Sequence, residues 1–132
     1  VYFDKNQGGT YGSYVEGVFV PSTYASEGAD PQTGVNRVKP YIEWLVRHNK
    51  VGIVGEYGIP DDAADLDKWG LVLENMLSYM SEMGVPGTYW SAGPRWGNYR
   101  LAVQPTANYT VDRPQMQFLE KYLRTNPNKE QE

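Results

Sequence analysis

Cysteine is absent from this chain of 132 residues, and histidine occurs once, at His48. The lack of cysteine excludes a disulfide, a thiolate nucleophile and a cysteine-based metal site. It also means that cysteine usage gives no information on the redox compartment of the protein. His48 lies at a predicted helix end and is expected to be structural. With a single imidazole we expect no transition-metal site and no cofactor. Calcium binding by carboxylate and carbonyl oxygens stays open as an alternative.

Basic clusters and long apolar runs are also missing. Lys and Arg number 12 against 16 acidic residues, the formal net charge is -4, and no stripe of positive charge occurs. Nucleic acids and other polyanions are therefore not expected as partners. No apolar run approaches the ~20 residues that span a bilayer, and no charged and then apolar leader opens the chain. These absences predict a soluble protein without a membrane partner, any signal peptide lying outside these residues.

Aromatic side chains with a polar group are abundant by contrast, with 11 Tyr and 4 Trp against 3 Phe. Such rings suit surfaces that are half wet. In a protein without a basic surface this bias fits sugar binding, although the same rings also fill cores. With 40% hydrophobic residues, the chain is of a size that usually makes one globular domain. We place that domain at 1–124 and a polar tail at 125–132.

The first part of the chain predicts a strand, a long loop and a helix. Residues 1–3 are apolar and predict a strand end. The segment 11–34 is rich in Gly, Ser, Tyr and Pro and predicts a long loop, in which 17–20 could be extended. Apolar residues at helical spacing then predict a helix over 35–48, with Pro40 at its start or at a kink.

The run Val51–Gly55 is almost wholly apolar, which is typical of a parallel strand covered on both faces. Glu56 stands at its carboxyl end, flanked by Gly55 and Gly58. A carboxylate in that place can approach a ligand with little obstruction. The pattern alone supports this interpretation and an ordinary surface glutamate equally.

The second half continues with a helix that ends at Gly84, a strand over 87–90, a loop over 91–97, and a helix that begins at Asp112 with Pro114 in its first turn. Successive strand–helix units predict a parallel sheet. Three such units are a little under half of a (β/α)8 barrel, which takes ~250 residues. The apolar positions are Trp69, Leu73, Met76, Leu77, Met80 and Met83 in the first of these helices, and Met116, Leu119 and Leu123 in the second.

In such barrels the functional residues lie at the carboxyl ends of the strands, and three motifs at those places resemble one family. Gly55-Glu56-Tyr57-Gly58 is similar to the nucleophile motif that ends the seventh strand of family 5 glycoside hydrolases, of the cellulase and endoglucanase group. Val1-Tyr2-Phe3-Asp4 resembles their sixth-strand motif, and Gly87-Thr88-Tyr89-Trp90-Ser91-Ala92 resembles their eighth strand. The resemblance extends from Val1 to about Leu123 and implies an α/β fold, the C-terminal part (about strands 6 to 8) of a (β/α)8 TIM barrel.

The resemblance implies a retaining glycosidase that cleaves β-glucan chains as an endo-β-1,4-glucanase. Glu56 would be the nucleophile, the Tyr2 hydroxyl would donate a hydrogen bond to it, and Trp90 would stack under the sugar ring. Substrate would also contact Trp96 and Asn98. Cellulose, mixed-linkage glucan, xyloglucan and mannan all stay open as the polysaccharide. Secretion is implied by the family alone.

The resemblance leaves one carboxylate missing. A retaining glycosidase needs two carboxyl groups about 5 to 5.5 Å apart, and the family takes its acid/base from an Asn-Glu-Pro motif that this chain does not contain. Asp61 and Asp62 follow Glu56 closely past a turn, and Glu74 and Glu82 lie on an outer helix, so none of them is assigned this role. We therefore expect an N-terminal half-barrel chain to supply the acid/base glutamate, and this chain alone to be inactive.

A non-catalytic half-barrel is the alternative. It would bind carbohydrate through Trp90 and Trp96, or serve as an assembly unit whose apolar edges need a partner. Trp44 and Trp69 lie on predicted helices and are expected to pack rather than to contact sugar. Tyr99 is a further candidate for the mouth of the site. Three tyrosines could either line a cleft or tie down the long loop, and they are Tyr11, Tyr14 and Tyr24.

Overall fold

A βαβ unit is the centre of the fold. The computed structural model describes residues 1–123, so the tail predicted at 125–132 lies outside the described residues. Strands β3 (Val54–Tyr57) and β4 (Gly87–Tyr89) pair in parallel, and helix α2 (Leu66–Glu82) connects them. This pairing confirms the predicted α/β class. The other elements are β1 (Gly12–Val15), β2 (Val18–Pro21), α1 (Thr33–Arg47), α3 (Met116–Leu119) and 3-10 turns at Pro94–Trp96 and Glu120–Tyr122.

The core lies where the two long helices pack against each other and against the sheet. Helix α1 turns Val38, Ile42 and Leu45 inward, at the spacing of one helix face. Gly34 lets α1 approach α2 closely, because an added Cβ would lie 3.0 Å from a side-chain carbon of α2. The predicted apolar positions of α2 are buried except for Met83, which follows the helix and is exposed. No helix within 1–123 is long and apolar enough to cross a membrane.

Both long helices end in a residue of left-handed conformation. Gly84 has a φ of 69°, and the N–H of Val85 donates to the Met80 carbonyl at 2.9 Å, which closes the end of α2. The predicted glycine cap is therefore confirmed. Asn49 ends α1 in the same way with a φ of 50°. Helix α1 continues through Pro40 instead of starting there, so one carbonyl of the preceding turn lacks its usual donor.

The first part of the long loop predicted at 11–34 is a β-hairpin. Strands β1 and β2 pair antiparallel, with Val15 opposite Val18. The two turn residues, Glu16 and Gly17, have positive φ values of 50° and 79°, which are typical of a tight two-residue turn. The turn lacks the Asn-Gly or Asp-Gly pair that marks most such hairpins, so the sequence predicts only the second of its two strands.

Residues 1–3 form no strand, which corrects the prediction. A single backbone hydrogen bond, from the Val1 amino group to the Glu56 carbonyl, joins this segment to β3. A strand ladder needs repeated bonds of this kind. Tyr2 and Phe3 are nevertheless buried in the core. The segment therefore lies beside β3, without the pairing of a strand.

Strand β3 begins at Val54 rather than at the predicted Val51. Its partner sets this start, because Val54 lies opposite Gly87 of β4. Val51 is 99% exposed and Ile53 is 57% exposed. Within residues 1–123 the apolar run is thus not covered on both faces, which corrects that part of the prediction.

Helix α3 begins at Met116 rather than at the predicted Asp112. Side chains just before it are held by the preceding loop: Arg113 donates to two loop carbonyls at 2.8 and 2.6 Å, and the buried Gln115 donates to a third at 2.9 Å. These bonds stabilise a turn in place of a first helical turn, so Asp112 is not the cap. Leu123, predicted on the buried face, is exposed.

Candidate active site

The carboxyl ends of β3 and β4 bring two of the predicted site residues to one edge of the sheet. Glu56 is the third residue of β3, and Trp90 directly follows β4. The Trp90 N–H donates to the Tyr57 carbonyl at 2.7 Å, which holds the two segments side by side. Residues that are distant in sequence are therefore neighbours at this edge, as expected for parallel strands.

An irregularity in the strand pairing turns Glu56 outward. Val54 lies opposite Gly87 and Tyr57 lies opposite Tyr89, so β3 has one more residue than β4 between the two pairs. Val54 and Tyr57 are buried, whereas both residues between them are exposed. An extra residue of this kind bends a strand and redirects side chains. The Glu56 carboxylate therefore faces the open edge of the sheet.

The Tyr2 hydroxyl donates a hydrogen bond to Oε1 of Glu56 at 2.5 Å. The Tyr2 ring itself is buried, with 8% of the residue exposed. Burial, followed by the hydrogen bond to Glu56, raises the pKa of the Tyr2 hydroxyl well above its ordinary value. The phenol therefore keeps its proton at neutral pH and acts as the donor of this pair.

Polar contacts behind this pair hold the backbone of the Tyr2 segment. Arg37 of α1 donates to the carbonyls of Tyr2 and Asp4, at 2.7 Å each. The Asp4 carboxylate is buried and accepts the N–H of Gly9 at 3.0 Å and the N–H of Tyr11 at 3.1 Å. The turn that follows Asp4 is thus closed on that carboxylate, an arrangement that residue spacing does not predict.

Tyr11 ties this turn to the segment after β3. Its hydroxyl donates to the Gly58 carbonyl at 2.6 Å and accepts the Phe3 N–H at 3.1 Å. The ring is fully buried and lies edge-on to Trp69, with ring centres 5.1 Å apart. Burial raises the pKa of the Tyr11 hydroxyl well above its ordinary value. Of the two roles left open by the sequence, Tyr11 therefore takes that of a loop anchor.

Tyr11→Phe is expected to lower the free energy of unfolding by about 1–3 kcal/mol, because a buried carbonyl and a buried N–H lose their partner. The loss should depend on pH. Below about pH 10 the hydroxyl is protonated in both states. Above it the unfolded chain releases this proton while the folded protein, whose Tyr11 pKa is raised, keeps it. The stability contributed by this proton is therefore lost as pH rises.

Urea unfolding from about pH 8 to about pH 11 measures both effects. Above about pH 10 the free energy of unfolding of Tyr11→Phe should fall less steeply with pH than that of the unmodified chain. The two slopes should differ by about 1.4 kcal/mol per pH unit for one proton. Tyr14→Phe is the matched control, because Tyr14 is 72% exposed, and its stability should change by less than about 0.5 kcal/mol. An unchanged pH slope in Tyr11→Phe would contradict the role of this hydroxyl as a buried donor.

Three aromatic rings form a cluster at the end of β4. The ring centres of Trp90 and Trp96 are 5.2 Å apart at an angle of 74°, and those of Trp96 and Tyr99 are 5.0 Å apart at 31°. Trp90 is 39% exposed and Trp96 is 37% exposed, so both rings remain accessible. The peptide bond between Trp90 and Ser91 is cis. The cluster offers apolar ring faces to a flat ligand at the edge that carries Glu56.

Tyr99 is the member of this cluster that the sequence singles out least. Burial raises the pKa of its hydroxyl above the ordinary value, and the negative charge of Glu56 adds to this rise. The sequence feature that points to Tyr99 is its place as the third aromatic residue of this segment, shortly after Trp96.

No role is predicted for the Tyr89 side chain from the sequence. In the structure its hydroxyl donates to the Ile59 carbonyl at 3.1 Å and accepts the Ile59 N–H at 3.2 Å. Burial raises the pKa of this hydroxyl above its ordinary value. The last residue of β4 thus fixes the backbone that follows Glu56.

The other residues named from the sequence differ in how far they are buried. Asn98 is exposed, and within residues 1–123 its side chain takes no part in the hydrogen bonds and ring contacts just described. Trp69 is buried, as predicted. Trp44 lies against His48 at the end of α1, with ring centres 4.7 Å apart, but stays exposed. Within residues 1–123 the packing predicted for Trp44 is therefore only partial.

Two of the other carboxylates named from the sequence form ion pairs of their own. Asp62 pairs with Arg100 at 3.3 Å, and Glu74 on α2 pairs with Lys121 at 2.8 Å. Glu82 is exposed at the end of α2. Over the described residues, no group of three or more His, Asp or Glu side chains is arranged to hold a metal ion.

Comparison with known proteins gives relatives with consistent names. No family profile matches the chain. Endoglucanase Cel5A of Pseudomonas stutzeri, solved with cellobiose, is 38% identical and has a TM-score of 0.74, over 95% of this chain and 33% of that protein. An endo-β-1,4-glucanase of Xanthomonas axonopodis pv. citri is 30% identical with a TM-score of 0.70, over 92% of this chain and 34% of that protein.

A curated sequence adds a fungal relative. The probable endo-β-1,4-glucanase B of Aspergillus kawachii is 31% identical over 93 residues, which are 68% of this chain and 26% of that protein. The chain thus spans about a third of the length of the solved relatives and about a quarter of this curated one. Such coverage is consistent with a part of a barrel.

Proposed function

This chain belongs to the family 5 glycoside hydrolases of the cellulase type, as a C-terminal portion of their barrel, and on that premise we propose that it carries the nucleophile of a retaining endo-β-1,4-glucanase. The observation that carries the proposal is the 2.5 Å hydrogen bond from Tyr2 to Glu56 at the open edge of the sheet. A carboxylate placed in this way is accessible to a ligand and already has a donor.

Glu56 acts in two steps. Its carboxylate attacks the anomeric carbon as the glycosidic C–O bond breaks, while a second carboxylic acid protonates the leaving oxygen. That second group then takes a proton from water, the water oxygen attacks the anomeric carbon, and the ester bond to Glu56 breaks. Two inversions leave the product with the β configuration of the substrate. Because the Tyr2 hydroxyl engages Oε1, we assign the attack to Oε2.

Tyr2 supports the attacking group. A donated hydrogen bond favours the ionised form of a carboxylate, which is the form that attacks. The Tyr2 phenol is protonated at neutral pH even at its ordinary pKa of about 10, and burial raises that pKa further. We therefore assign two roles to Tyr2: it donates a hydrogen bond to the nucleophile, and it contacts the sugar bound beside Glu56.

Trp90, Trp96 and Asn98 are assigned to substrate binding. The accessible ring faces suit the apolar faces of sugar rings, and the Asn98 amide suits their hydroxyl groups. The substrate is a β-1,4-glucan or its oligosaccharides, which agrees with the cellobiose bound to the Pseudomonas stutzeri relative. Because such polymers are too large to enter a cell, secretion is the proposed localisation.

The acid/base group is proposed to come from a part of the barrel outside these 132 residues, since the chain has no Asn-Glu-Pro motif. The segment 1–3 with β3 and β4 would then correspond to strands 6 to 8 of the barrel. Exposed apolar residues at the edges, such as Val51 and Ile53, would be covered by its neighbouring elements. This chain alone would be inactive, and an N-terminal half-barrel, on the same or another polypeptide, would be its partner.

Hydrolysis of a soluble β-glucan tests this proposal, with the chain alone and mixed with an N-terminal portion that carries the Asn-Glu-Pro motif. We expect activity only in the mixture, and its loss when Glu56→Gln replaces the unmodified chain. Glu82→Gln is the control, because it changes an exposed carboxylate at the end of α2, and it should stay active. Size-exclusion chromatography checks association independently, so a mixture that associates but stays inactive overturns the proposal.

A non-catalytic carbohydrate-binding half-barrel is the second candidate. The exposure of Trp90 and Trp96 favours it, because two accessible rings can hold a sugar without a second carboxylate. This candidate predicts that the inactive mixture still binds a cello-oligosaccharide in calorimetry and that Trp90→Ala abolishes the binding.

A further inference from the structure

Gly9 lies directly against the ring of Tyr2. A Cβ added at Gly9 would lie 2.8 Å from Cδ1 and Cγ of this ring and 2.9 Å from Cδ2. Non-bonded carbon atoms keep a distance of roughly 3.5 Å. Any side chain at this position would therefore displace the ring or the backbone.

The Tyr2 ring has little room to yield. It is buried and stands edge-on to Tyr11, with ring centres 6.4 Å apart at 84°. Its backbone carbonyl accepts a hydrogen bond from Arg37 at 2.7 Å, and its hydroxyl donates to Glu56 at 2.5 Å. With the backbone held, a displaced ring carries its hydroxyl away from the Glu56 carboxylate.

The backbone of Gly9 cannot easily retreat either. Its N–H donates to one oxygen of the buried Asp4 carboxylate at 3.0 Å, and the backbone N–H of Tyr11 donates to the other oxygen at 3.1 Å. Gly9 also has a φ of +78°, which glycine adopts at no steric cost. The turn from Asp4 to Tyr11 is thus a fixed surface behind the Tyr2 ring.

We propose that Gly9 is a positioning residue for the reaction, because its lack of a side chain lets the Tyr2 ring sit where the hydroxyl meets Glu56. Gly9 touches no reacting atom and acts through Tyr2. The inference rests on the proposed function, since it takes Glu56 as the nucleophile and Tyr2 as its donor.

Gly9→Ala tests this role in a complete barrel, formed by a longer chain that contains these residues or by mixing with an N-terminal portion. We expect kcat on a soluble β-1,4-glucan to fall about 10- to 100-fold, and KM to change less than about threefold. The displaced hydroxyl donates to the reacting carboxylate, so its loss acts mainly on the chemical step.

Gly17→Ala and Gly28→Ala separate this effect from backbone strain. These glycines have φ values of +79° and +64°, and an added Cβ at either position meets nothing within 4 Å. Both variants place alanine in the same left-handed region without touching Tyr2. We expect them to keep the kcat and the KM of the unmodified enzyme.

A double variant tests whether Gly9 acts through the hydroxyl. Tyr2→Phe removes that group and keeps the ring, so adding Gly9→Ala to it should lower kcat by less than a further factor of about three. Asp4→Asn removes one of the two acceptors that hold the turn. It should lower kcat by a smaller factor with little change in KM, and it provides the test if Gly9→Ala does not fold.

The positioning role is overturned if Gly9→Ala behaves like Gly17→Ala, if its effect multiplies fully with that of Tyr2→Phe, or if Asp4→Asn leaves kcat unchanged. With Glu56→Gln inactive in the same assay, these results leave the proposed nucleophile standing. Activity in Glu56→Gln overturns the proposed function itself, so the two failures are distinguishable.

Discussion

Glu56→Gln in a complete barrel should lower kcat on a soluble β-1,4-glucan by about a thousand-fold or more. An amide is a poor nucleophile and does not form the glycosyl ester on which both steps depend. The fold should be kept, because an amide oxygen can still accept the hydrogen bond of the Tyr2 hydroxyl, and the free energy of unfolding should change by less than about 1.5 kcal/mol. Release of reducing ends measures the first effect and urea unfolding the second, with Glu82→Gln as the active control.

Chemical rescue distinguishes a nucleophile from a residue that is merely required. Glu56→Ala opens the space beside the anomeric carbon, where added azide can form a C–N bond as the glycosidic C–O bond breaks and the acid/base carboxyl protonates the leaving oxygen. The expected product is an α-glycosyl azide, identified by its anomeric proton in NMR. A β-azide would assign Glu56 to the acid/base role instead. More than about a tenth of the activity left in Glu56→Gln would exclude both roles.

The long helices can be predicted because the signals that define them are local. Helices α1 and α2 follow the spacing of their apolar residues, and Gly84 takes the left-handed conformation expected of a helix cap. Strands depend on partners instead. The start of β3 is set by Gly87 on the opposite strand, and the hairpin turn at Glu16 and Gly17 carries no strong sequence signal.

The candidate site likewise has features that the sequence predicts and features that depend on tertiary contacts. The positions of Glu56 and Trp90 follow from the expected strand ends, and their proposed roles come from short motifs at those ends. The register shift that exposes Glu56 depends on pairing with β4 and leaves no mark in the sequence. The contact of Gly9 with the Tyr2 ring and the closure of the turn on Asp4 are likewise tertiary.

Trp69→Ala is expected to lower the free energy of unfolding by about 3–5 kcal/mol. Trp69 is 1% exposed and lies between Tyr11 and Tyr24, with ring centres 5.1 and 5.0 Å away. Its removal would leave a cavity behind the turn that carries Tyr11. Urea unfolding of a complete barrel measures the loss. A change below about 1 kcal/mol would contradict the packing seen here.

Trp90→Ala should show the opposite pattern. The ring is 39% exposed, so its removal should change the free energy of unfolding by less than about 1 kcal/mol. The loss of a stacking face should lower kcat/KM on β-1,4-glucan about 10- to 100-fold, and Trp90→Phe should recover part of it. If Trp90→Ala instead loses as much stability as Trp69→Ala and its kinetics stay unchanged, Trp90 is a packing residue. The two properties should separate because the Trp90 backbone N–H, not its ring, joins the end of β4 to β3.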